Sequence, residues 1–438
     1  MEPVASLACL QAGEVRNGGG CRRLVGYTAK VERVMILART GSYRVDDFVA
    51  AARRLGVEPV VGTDRCAELA QLWDAEAFGS VEVPLDDLVA AAAKVAASGP
   101  LAAVVATDDA TSEVAARAAA LLGLRGNAPE AARRAGNKRL LREALFAGGV
   151  RCPPHQILEP GAAATTTLPY PVVCKPLSLS ASRGVIRADN HAELVAAVAR
   201  VRAILATLRP SDDPDARRVL IERFAPGPEV AVELLLRAGR PSLLALFDKP
   251  DPLDGPFFEE TLYITPSRHP VQVVAEVVAT AAAAAAALGL VEGPVHAELR
   301  LSPSGVQVLE VAARSIGGLC GRVLRFGLGS ISLEELVLAA ALGRPPSDLT
   351  LVAAAGVLMI PIPSGGVLQG VDGVDAARAV AHIEDVVITA RSGEVLLPLP
   401  EGNRYLGFVF ARADTPATVE NALRSAHAKL KIRLAPRL

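Results

Sequence analysis

Apolar and polar residues alternate along the N-terminal part of the chain in blocks that switch between strand-like and helix-like periods. The run RVMILARTG (33–41) is apolar and leads into a glycine turn, and residues 45–64 follow as a helix, a glycine stop and a second strand. Residues 86–124 repeat the order helix, strand, helix, and this strand ends in two carboxylates. Because strands and helices that alternate in this way form α/β layers, residues 32–125 are predicted to be a small doubly wound unit.

The pattern changes beyond residue 137. A basic helix ends at a glycine pair, and the strand PVVCKP that follows places Lys175 beside a Ser-rich loop that ends at Arg183-Gly184. A lysine beside a small-residue loop can bind phosphate, because the ammonium offsets charge while backbone N–H and hydroxyl groups donate to the oxygens. The alternative interpretation is a solvated lysine next to an ordinary turn.

Two further strand pairs carry glutamates. Residues 219–236 give two strands around a Pro-Gly-Pro turn, which Glu222 and Glu229 flank. Residues 293–312 give two strands joined by a Ser-Pro-Ser-Gly turn, with Glu298 on the first strand and Glu310 on the second. Directly opposite residues of a hairpin lie about 5 Å apart, so the last two carboxylates can reach one divalent ion. Arg314 and the pair Gly317-Gly318 follow at once and can grip an oxyanion.

Length and composition narrow the class of protein. The chain has 438 residues, enough for two or more domains, and its 51% hydrophobic and 21% charged residues are typical of a globular protein. The net charge of −1 gives no reason to expect a nucleic acid partner. The six cysteines are scattered without a CxxC pair, which predicts neither a zinc site nor a disulfide framework and favours the cytoplasm.

Two segments were candidates for targeting or membrane insertion. Residues 1–31 contain no continuous apolar stretch, so we expect a disordered extension rather than a secretory signal. The alanine-rich run 271–290 contains Gln272 and Glu276, which predicts a helix of a soluble protein rather than a membrane span. No membrane partner is therefore expected.

Two lysines, a Ser/Gly loop, a turn bracketed by glutamates and a carboxylate pair, in that order, resemble the ATP-grasp superfamily of carboxylate-amine ligases. The most specific part of the resemblance runs from Lys138 to Gly318. The tail GNRYLGFVFARADTPATVENALRSAHAKLKI (402–432) is similar to the C-terminal domain of the L-amino-acid ligase group, which forms dipeptides and related amides. The resemblance implies a small-molecule carboxylate and amine as substrates, ATP with Mg²⁺ or Mn²⁺, and allows a homodimer.

The resemblance also implies a multidomain α/β and α+β fold. After the extension comes a Rossmann-like domain at 32–130, without the GxGxxG that would assign it a dinucleotide. An ATP-grasp domain at 131–354 follows, with a lid at about 165–235. A small α+β domain at 355–438, of the L-amino-acid ligase type, completes the chain.

Site roles follow from the resemblance at the matching positions. Glu298 and Glu310 are similar to the magnesium-binding glutamates, and Arg314, Gly317 and Gly318 to the groups that hold the substrate carboxylate and its phosphorylated form. The nucleotide is expected to contact phosphate-binding lysines, a flap over the terminal phosphates, an adenine-binding segment and a ribose-binding glutamate. The phosphate-binding lysines are Lys138 and Lys175, and the flap is 178–184, with Ser180, Ser182, Arg183 and Gly184. The adenine-binding segment is Glu222, Arg223 and Phe224, and the ribose-binding glutamate is Glu229.

Three sets of residues have two interpretations each. Glu259, Glu260 and Tyr263 are expected to meet the amino group of the first substrate, or else to form an exposed acidic loop. His296 lies two residues before Glu298, on the same face of its strand, and either orients a phosphate or packs. Ala312 stands where many relatives have a metal-binding asparagine, so a non-catalytic ATP-binding relative is the alternative to a ligase. A biotin carboxylase is disfavoured, because the sequence has no Met-Lys-Met segment.

Overall fold

The computed structural model describes residues 31–64, 79–208, 211–344 and 348–436. The expectation of a disordered extension concerns residues 1–31 and therefore lies almost wholly outside these ranges. Within them, the chain from Glu32 onward forms one compact unit.

The first part of the chain forms a four-stranded parallel sheet of order β3-β2-β1-β4. This arrangement confirms the doubly wound layer, and the short strand β3 is an element that the sequence pattern did not indicate. Asp108 lies just after the fourth strand, and its side chain caps the helix that follows by accepting from the Thr111 N–H. The elements are β1 (Arg33–Leu37), α1 (Val45–Arg54), β2 (Glu58–Thr63), β3 (Gly79–Glu82), α2 (Leu88–Ala96), β4 (Ala103–Ala106) and α3 (Asp109–Leu122).

Two helices, α4 (Pro129–Ala135) and α5 (Lys138–Ala147), lead into a four-stranded antiparallel sheet of order β5-β8-β6-β7. Helix α6 packs on this sheet. The sheet and α6 overlap the range expected for the lid, and we call this sheet the lid sheet. The elements are β5 (His155–Leu158), β6 (Val172–Pro176), β7 (Ile186–Ala188), α6 (His191–Ala206) and β8 (Val219–Arg223).

An eight-stranded antiparallel sheet of order β13-β12-β9-β10-β11-β16-β20-β18 forms the centre of the fold. It runs without interruption from the strands that carry Glu298 and Glu310 into the C-terminal part of the chain. Its first strands and helix are β9 (Glu229–Arg237), β10 (Arg240–Lys249), β11 (Leu262–Thr265), α7 (Val271–Leu288), β12 (Gly293–Ser302) and β13 (Gly305–Ala312).

The remaining elements complete this sheet and add two small ones. A hairpin of β14 with β15 precedes α8, and β17 pairs with β19 and β21. The elements are β14 (Arg325–Phe326), β15 (Ile331–Ser332), α8 (Leu333–Ala341), β16 (Ala354–Ile360), β17 (Gly366–Asp372), α9 (Val374–Arg378), β18 (Ile383–Ile388), β19 (Val395–Leu396), β20 (Gly407–Ala413), α10 (Pro416–His427) and β21 (Lys431–Ala435).

The central sheet buries both of its faces. One face packs with α1 and α8 in a core that also includes β1, and the other packs with α5 and α7. Among the helices that the structure describes, α7 has the length and composition that would allow it to cross a membrane. Its inner side, which includes Val277, Ala281 and Leu288, lies in the second core.

The turn between β8 and β9 joins two different sheets. Glu222 therefore belongs to the lid sheet and Glu229 to the central sheet. Gly227 in this turn has φ +112°, and a Cβ atom there would lie 2.2 Å from the Leu301 carbonyl oxygen. Only glycine fits this close approach, which holds the lid strand against the β12–β13 hairpin.

Candidate active site

A cavity of about 780 Å³ lies between the lid sheet, the central sheet and the loop after β1. It collects most of the residues that the sequence indicated. Gly184 and Glu259 are not among its lining residues. The predicted residues that line it are Lys138, Lys175, Ser180, Ser182, Arg183, Glu222, Arg223, Phe224, Glu229, Glu260, Tyr263, His296, Glu298, Glu310, Arg314, Gly317 and Gly318.

The two predicted phosphate lysines enter the cavity from a helix start and a strand end. Asn137 caps α5 and so fixes the position of Lys138, whose Nζ donates to the Leu179 carbonyl at 2.8 Å and lies 3.4 Å from Glu310. Lys175 is in β6 and its Nζ lies 2.7 Å from Glu222. Both ammonium groups are thus held by named partners and both border the space where phosphates are expected.

The flap covers one side of the same cavity. Ala181, Ser182 and Gly184 have positive φ angles of 54°, 53° and 74°. At Gly184 a Cβ atom would lie 2.8 Å from Pro176, so glycine is needed where the flap returns to the lid sheet. Arg183 lines the cavity, and its Nε donates to the Glu401 carbonyl at 3.0 Å.

Glu222 is almost fully buried, and both of its carboxylate oxygens face cations. Arg142 Nε lies 2.5 Å from one oxygen and Lys175 Nζ 2.7 Å from the other. Burial opposes ionisation, but the charges of Arg142 and Lys175 outweigh it and lower the pKa of Glu222 to about 2. Arg142 also donates to the Leu309 carbonyl at 2.7 Å, next to Glu310. The sequence analysis did not single out Arg142, although it lies one helical turn after Lys138.

The expected adenine-binding segment has its backbone partly engaged within the protein. The Phe224 N–H donates to the Pro171 carbonyl at 2.9 Å, and the Arg223 N–H to the Pro154 carbonyl at 2.9 Å. The Phe224 ring lies under two guanidinium groups, those of Arg187 and Arg300. Recognition of the adenine edge by Glu222 and Phe224 stays a prediction, and the donor of Phe224 is occupied in this structure.

Glu298 and Glu310 are directly opposite each other in the β12–β13 ladder. The register shifts just after this pair, so Leu309 is an extra residue in β13. Burial would raise the pKa of Glu298, but the charges of Lys249 and His296 hold it well below its usual range. The pair is a set of hard, anionic oxygen donors, which is the type that Mg²⁺ prefers.

Lys249, at the end of β10, is a site residue that the sequence analysis missed. Its ammonium contacts Glu229 at 2.7 Å, Glu298 at 3.2 Å and, at shorter distance, Glu260. The carboxylates of these three glutamates lie within 4.8 Å of one another and could hold a metal ion. Burial together with the charge of Glu298 raises the pKa of Glu260 to about 7, against the opposing charge of Lys249. The expected ribose role of Glu229 stays a prediction, since Lys249 and Arg300 both contact it.

His296 lies in the cavity wall on the same strand face as Glu298. Its Nδ1 is 2.5 Å from Glu233 and its Nε2 is 3.3 Å from Glu298. Burial disfavours the charged ring, but Glu233 and Glu298 outweigh that effect and raise the pKa of His296 to about 9. Glu233 also accepts from the Ile316 N–H at 3.0 Å, so one buried carboxylate orients both the imidazole and the loop after β13.

The anion end of the cavity depends on Asp109, the first residue of α3. Arg314 donates from Nη2 to Asp109 at 2.6 Å and from Nη1 to the Ser315 carbonyl at 3.0 Å. Gly317 and Gly318 line the cavity beside it, and Gly318 has φ +61° and would bring a Cβ atom within 3.0 Å of Phe408. Asp109 is the second carboxylate of the pair that follows the third strand of the sequence pattern, which is β4 of the structure, and that pair is its only signal in the sequence.

The expected substrate residues separate into two groups. Tyr263 donates to Glu260 at 2.7 Å, and Tyr405 donates to the same carboxylate at 3.4 Å. Both Glu260 and Tyr263 are largely enclosed in the cavity rather than on an exposed loop. Glu259 lines a separate small cavity beside Arg404 and Tyr405. Ala312 lines the main cavity and lies opposite His296 in the ladder.

Comparisons with known proteins agree with this architecture. Residues 168–323 match the ATP-grasp domain family, and residues 358–435 match the L-amino acid ligase C-terminal domain 2 family. The crystal structure of an L-amino acid ligase from Bacillus licheniformis is similar, with 26% identity and a TM-score of 0.77 over 93% of this chain and all (100%) of that chain. These matches confirm the resemblance and the multidomain fold class.

Two further relatives are similar over different extents. Carnosine synthase 1 of Gallus gallus is 31% identical over 226 residues, which are 49% of this chain and 23% of that protein. A carboxyaminoimidazole ribonucleotide synthase from Aspergillus clavatus, solved as a complex with ATP, has 18% identity and a TM-score of 0.69 over 92% of this chain and 99% of that chain. Because the identity to the Aspergillus clavatus enzyme is only 18%, this similarity shows a shared fold and nothing more.

Proposed function

We propose that this chain, an ATP-grasp carbon–nitrogen ligase with an L-amino acid ligase C-terminal domain, joins the carboxylate of one amino acid to the amine of another through an acyl phosphate. The products are an amide, ADP and phosphate. The observation that carries the proposal is the position of Glu310. It lies opposite Glu298, 3.4 Å from Lys138, and four residues before Arg314, so metal ligands, a phosphate cation and an acyl-side arginine share one cavity.

The first step is phosphoryl transfer. The substrate carboxylate attacks the γ-phosphorus of ATP, the bond to the bridging oxygen breaks, and ADP leaves. Lys138 and Lys175 bind the phosphates and offset the charge that develops on their oxygens. The flap 178–184 excludes water, which would otherwise hydrolyse the acyl phosphate.

The residues present fit a magnesium ion. Glu298 and Glu310 would hold it, whereas Glu229 and Glu260, which lie near Glu298, are already in contact with the Lys249 ammonium. Mg²⁺ keeps waters and phosphate oxygens as its other ligands, so two carboxylates suffice without the asparagine that Ala312 replaces. When bound, the ion neutralises charge on the β- and γ-phosphates.

The second step is acyl transfer. The substrate amine attacks the carbonyl carbon of the acyl phosphate, phosphate leaves with the electron pair of the broken C–O bond, and the amine loses a proton. Arg314 offers paired N–H donors to the phosphorylated carboxylate, and Asp109 keeps those donors in place. The backbone at Gly317 and Gly318 can approach the same anion because neither residue has a side chain.

The amino group of the first substrate is assigned to Glu260. This carboxylate faces the cavity between Tyr263 and Tyr405, and an ammonium is its natural partner once it is ionised. Glu259 is excluded from this role because it lies in the separate small cavity. The free thiols of Cys152, Cys174 and Cys320 fit a cytoplasmic enzyme, which is the location we propose.

A screen of amino-acid pairs tests the proposal. Phosphate release is measured with Mg-ATP and each pair, and the product is identified by mass spectrometry. We expect release that requires both a carboxylate and an amine, with an amide of the summed mass minus water. Release that is the same with no amino acid present would contradict a ligase.

A non-catalytic ATP-binding protein is the second candidate, and Ala312 in place of a third metal ligand is the observation that favours it. This candidate predicts that Mg-ATP binds but that no amino-acid pair increases phosphate release. Both candidates would use the Glu298–Glu310 pair to bind Mg-ATP, whereas Arg314 in the same cavity favours the ligase, because its proposed partner is a substrate carboxylate that a protein binding only Mg-ATP does not use.

A further inference from the structure

We infer that Glu401 is a positioning residue that holds the flap 178–184 closed over the nucleotide and ties its closure to the loop that borders the first substrate. The inference rests on the proposed role of the cavity as an ATP site. It concerns the C-terminal loop 397–405, of which the proposed function uses Tyr405 alone, as a neighbour of Glu260.

Three contacts join the lid to this loop. The Gly184 N–H, at the end of the flap, donates to the Pro400 carbonyl at 2.9 Å. Arg183 Nε donates to the Glu401 carbonyl at 3.0 Å. From helix α6, Arg200 donates to the two carboxylate oxygens of Glu401 at 2.6 and 2.8 Å. Glu401 therefore accepts a hydrogen bond from the flap at its backbone carbonyl and from the lid helix at its side-chain carboxylate.

The same loop also reaches the substrate side of the cavity. Asn403 and Tyr405 line the main cavity, and the Tyr405 hydroxyl donates to Glu260 at 3.4 Å. Ala181 of the flap and Glu259 both line the small cavity against residues of this loop. A movement of the flap away from Glu401 would thus change the surroundings of both Glu260 and Tyr405.

A second anchor fixes β7 at Arg187, three residues beyond the end of the flap. The Arg187 N–H donates to the Pro256 carbonyl at 2.9 Å, and its Nη1 donates to the Asp254 carbonyl at 2.6 Å. This loop leads directly into Glu259 and Glu260. The lid is therefore joined at two points to the two loops that carry the substrate-side residues.

The Arg200–Glu401 pair is suited to hold a moving part rather than to stabilise the whole fold. Its side chains are 44% and 39% exposed, and exposed ion pairs add little to global stability. Its paired donors nevertheless fix one geometry. Loss of the pair should shift the balance between closed and open flap by about two- to fivefold, the usual size of one exposed pair.

Release of a fluorescent nucleotide tests the inference without any amino-acid substrate. Dissociation of N-methylanthraniloyl-ATP is followed in the intact protein and in Glu401→Ala, Arg200→Met and the double variant. We expect release to be about two- to fivefold faster in each single variant than in the unmodified protein. The double variant should be no faster than either single variant, because each substitution already removes the same ion pair. Unchanged release in Glu401→Ala, or additive effects in the double variant, would overturn the inference.

Glu384→Ala is the matched control. Glu384, whose side chain is 42% exposed against 39% for Glu401, accepts from the less exposed Arg412 at 2.6 and 3.4 Å in a pair outside the lid. Nucleotide release in this variant should equal that of the unmodified protein. If it accelerates as much as Glu401→Ala, the effect is general and the inference fails.

A second readout separates the inference from the proposed function. Phosphate released per amide formed should be near one in the unmodified protein and should rise in Glu401→Ala, because water reaches the acyl phosphate. If the unmodified protein forms no amide, the proposed function fails, whereas the nucleotide-release experiment still decides the role of Glu401.

Discussion

The guanidinium of Arg314 donates to the carboxylate of Asp109 across 2.6 Å, joining residues 205 positions apart in the chain. Burial opposes the charge on Asp109, but Arg314 outweighs it and lowers the pKa of this carboxyl. Arg44 strengthens the same junction, because its Nη2 donates to Ser315 Oγ at 2.6 Å. The anion end of the cavity is therefore built jointly by the starts of α1 and α3 and the loop after β13.

Arg314→Lys should slow amide formation and leave ATP affinity nearly unchanged. A lysine ammonium is a point charge and cannot reproduce the paired donors, so the rate should fall by about tenfold to a thousandfold, as for loss of one oxyanion donor. ATP affinity and ligation rate are measured on one preparation. A parallel fall of both, or a fall of neither, would count against the acyl-side role.

Asp109→Asn should resemble a weaker form of the same defect. The amide keeps the size of the carboxylate but removes the charge that orients Arg314, so the ligation rate should fall by less than in Arg314→Lys. Steady-state kinetics with a saturating amine measures this. An Asp109→Asn enzyme that is slower than Arg314→Lys would mean that Asp109 acts on the substrate directly.

Lys175→Ala should weaken Mg-ATP binding while the protein stays folded. A hydrogen bond to a charged group contributes about 1.5–3 kcal/mol, so affinity should fall by about tenfold to a hundredfold. Titration calorimetry measures the affinity, and circular dichroism checks the fold. Glu143→Gln, on the surface of α5, is the control and should bind ATP normally. Normal affinity in a folded Lys175→Ala would remove Lys175 from the phosphate site.

Glu310→Gln and Glu298→Gln should each reduce activity far more than stability. The substitution removes a charge with little change in volume, and loss of a metal ligand should cost at least about ten- to a hundredfold in activity or metal affinity. Activity is measured as a function of Mg²⁺ concentration, together with the melting temperature. Near-normal activity of Glu310→Gln at saturating Mg²⁺ would disprove the metal assignment.

Glu222→Gln should change how stability depends on pH. The pKa of Glu222 is about 2 in the folded protein, below its ordinary value of 4.5, so its contribution is present above 4.5 and is lost as pH falls through 2. That contribution is about 3.5 kcal/mol at most, from about 1.4 kcal/mol per pKa unit. Denaturant unfolding should show the variant less stable at pH 7, with the gap closing towards pH 2. A gap independent of pH would contradict the ion pairs.

The sequence predicted the parts of the site that depend on short-range rules. The hairpin that carries Glu298 and Glu310 follows from the two-residue period of strands and a tight turn. Their direct pairing does not, because an unbroken register would place Glu298 opposite Leu309, and the bulge at Leu309 brings Glu310 opposite Glu298. Lys138 is likewise fixed locally, because Asn137 caps the helix that begins with it. The alternation of strands and helices in the first sheet needed only hydrophobic periodicity.

The parts that it did not predict depend on long-range packing. Lys249 meets three glutamates from three separate segments, and no local pattern marks it. Asp109 is marked only by the carboxylate pair after its strand, which does not reveal its partner Arg314. The contact between Arg200 and Glu401 joins residues 201 positions apart, and no local pattern marks it. A Pro-Gly-Pro turn also does not tell whether the strands on either side share a sheet, and here β8 and β9 do not.

Transfer of oxygen from substrate to phosphate tests the acyl-phosphate route most directly. An active amino-acid pair is supplied with ¹⁸O in the carboxylate of the first substrate, and the released phosphate is analysed by mass spectrometry. Attack of this carboxylate on ATP predicts that each phosphate carries one ¹⁸O atom and that the amide keeps the other. Phosphate without ¹⁸O, released in step with amide formation, would contradict the acyl-phosphate mechanism.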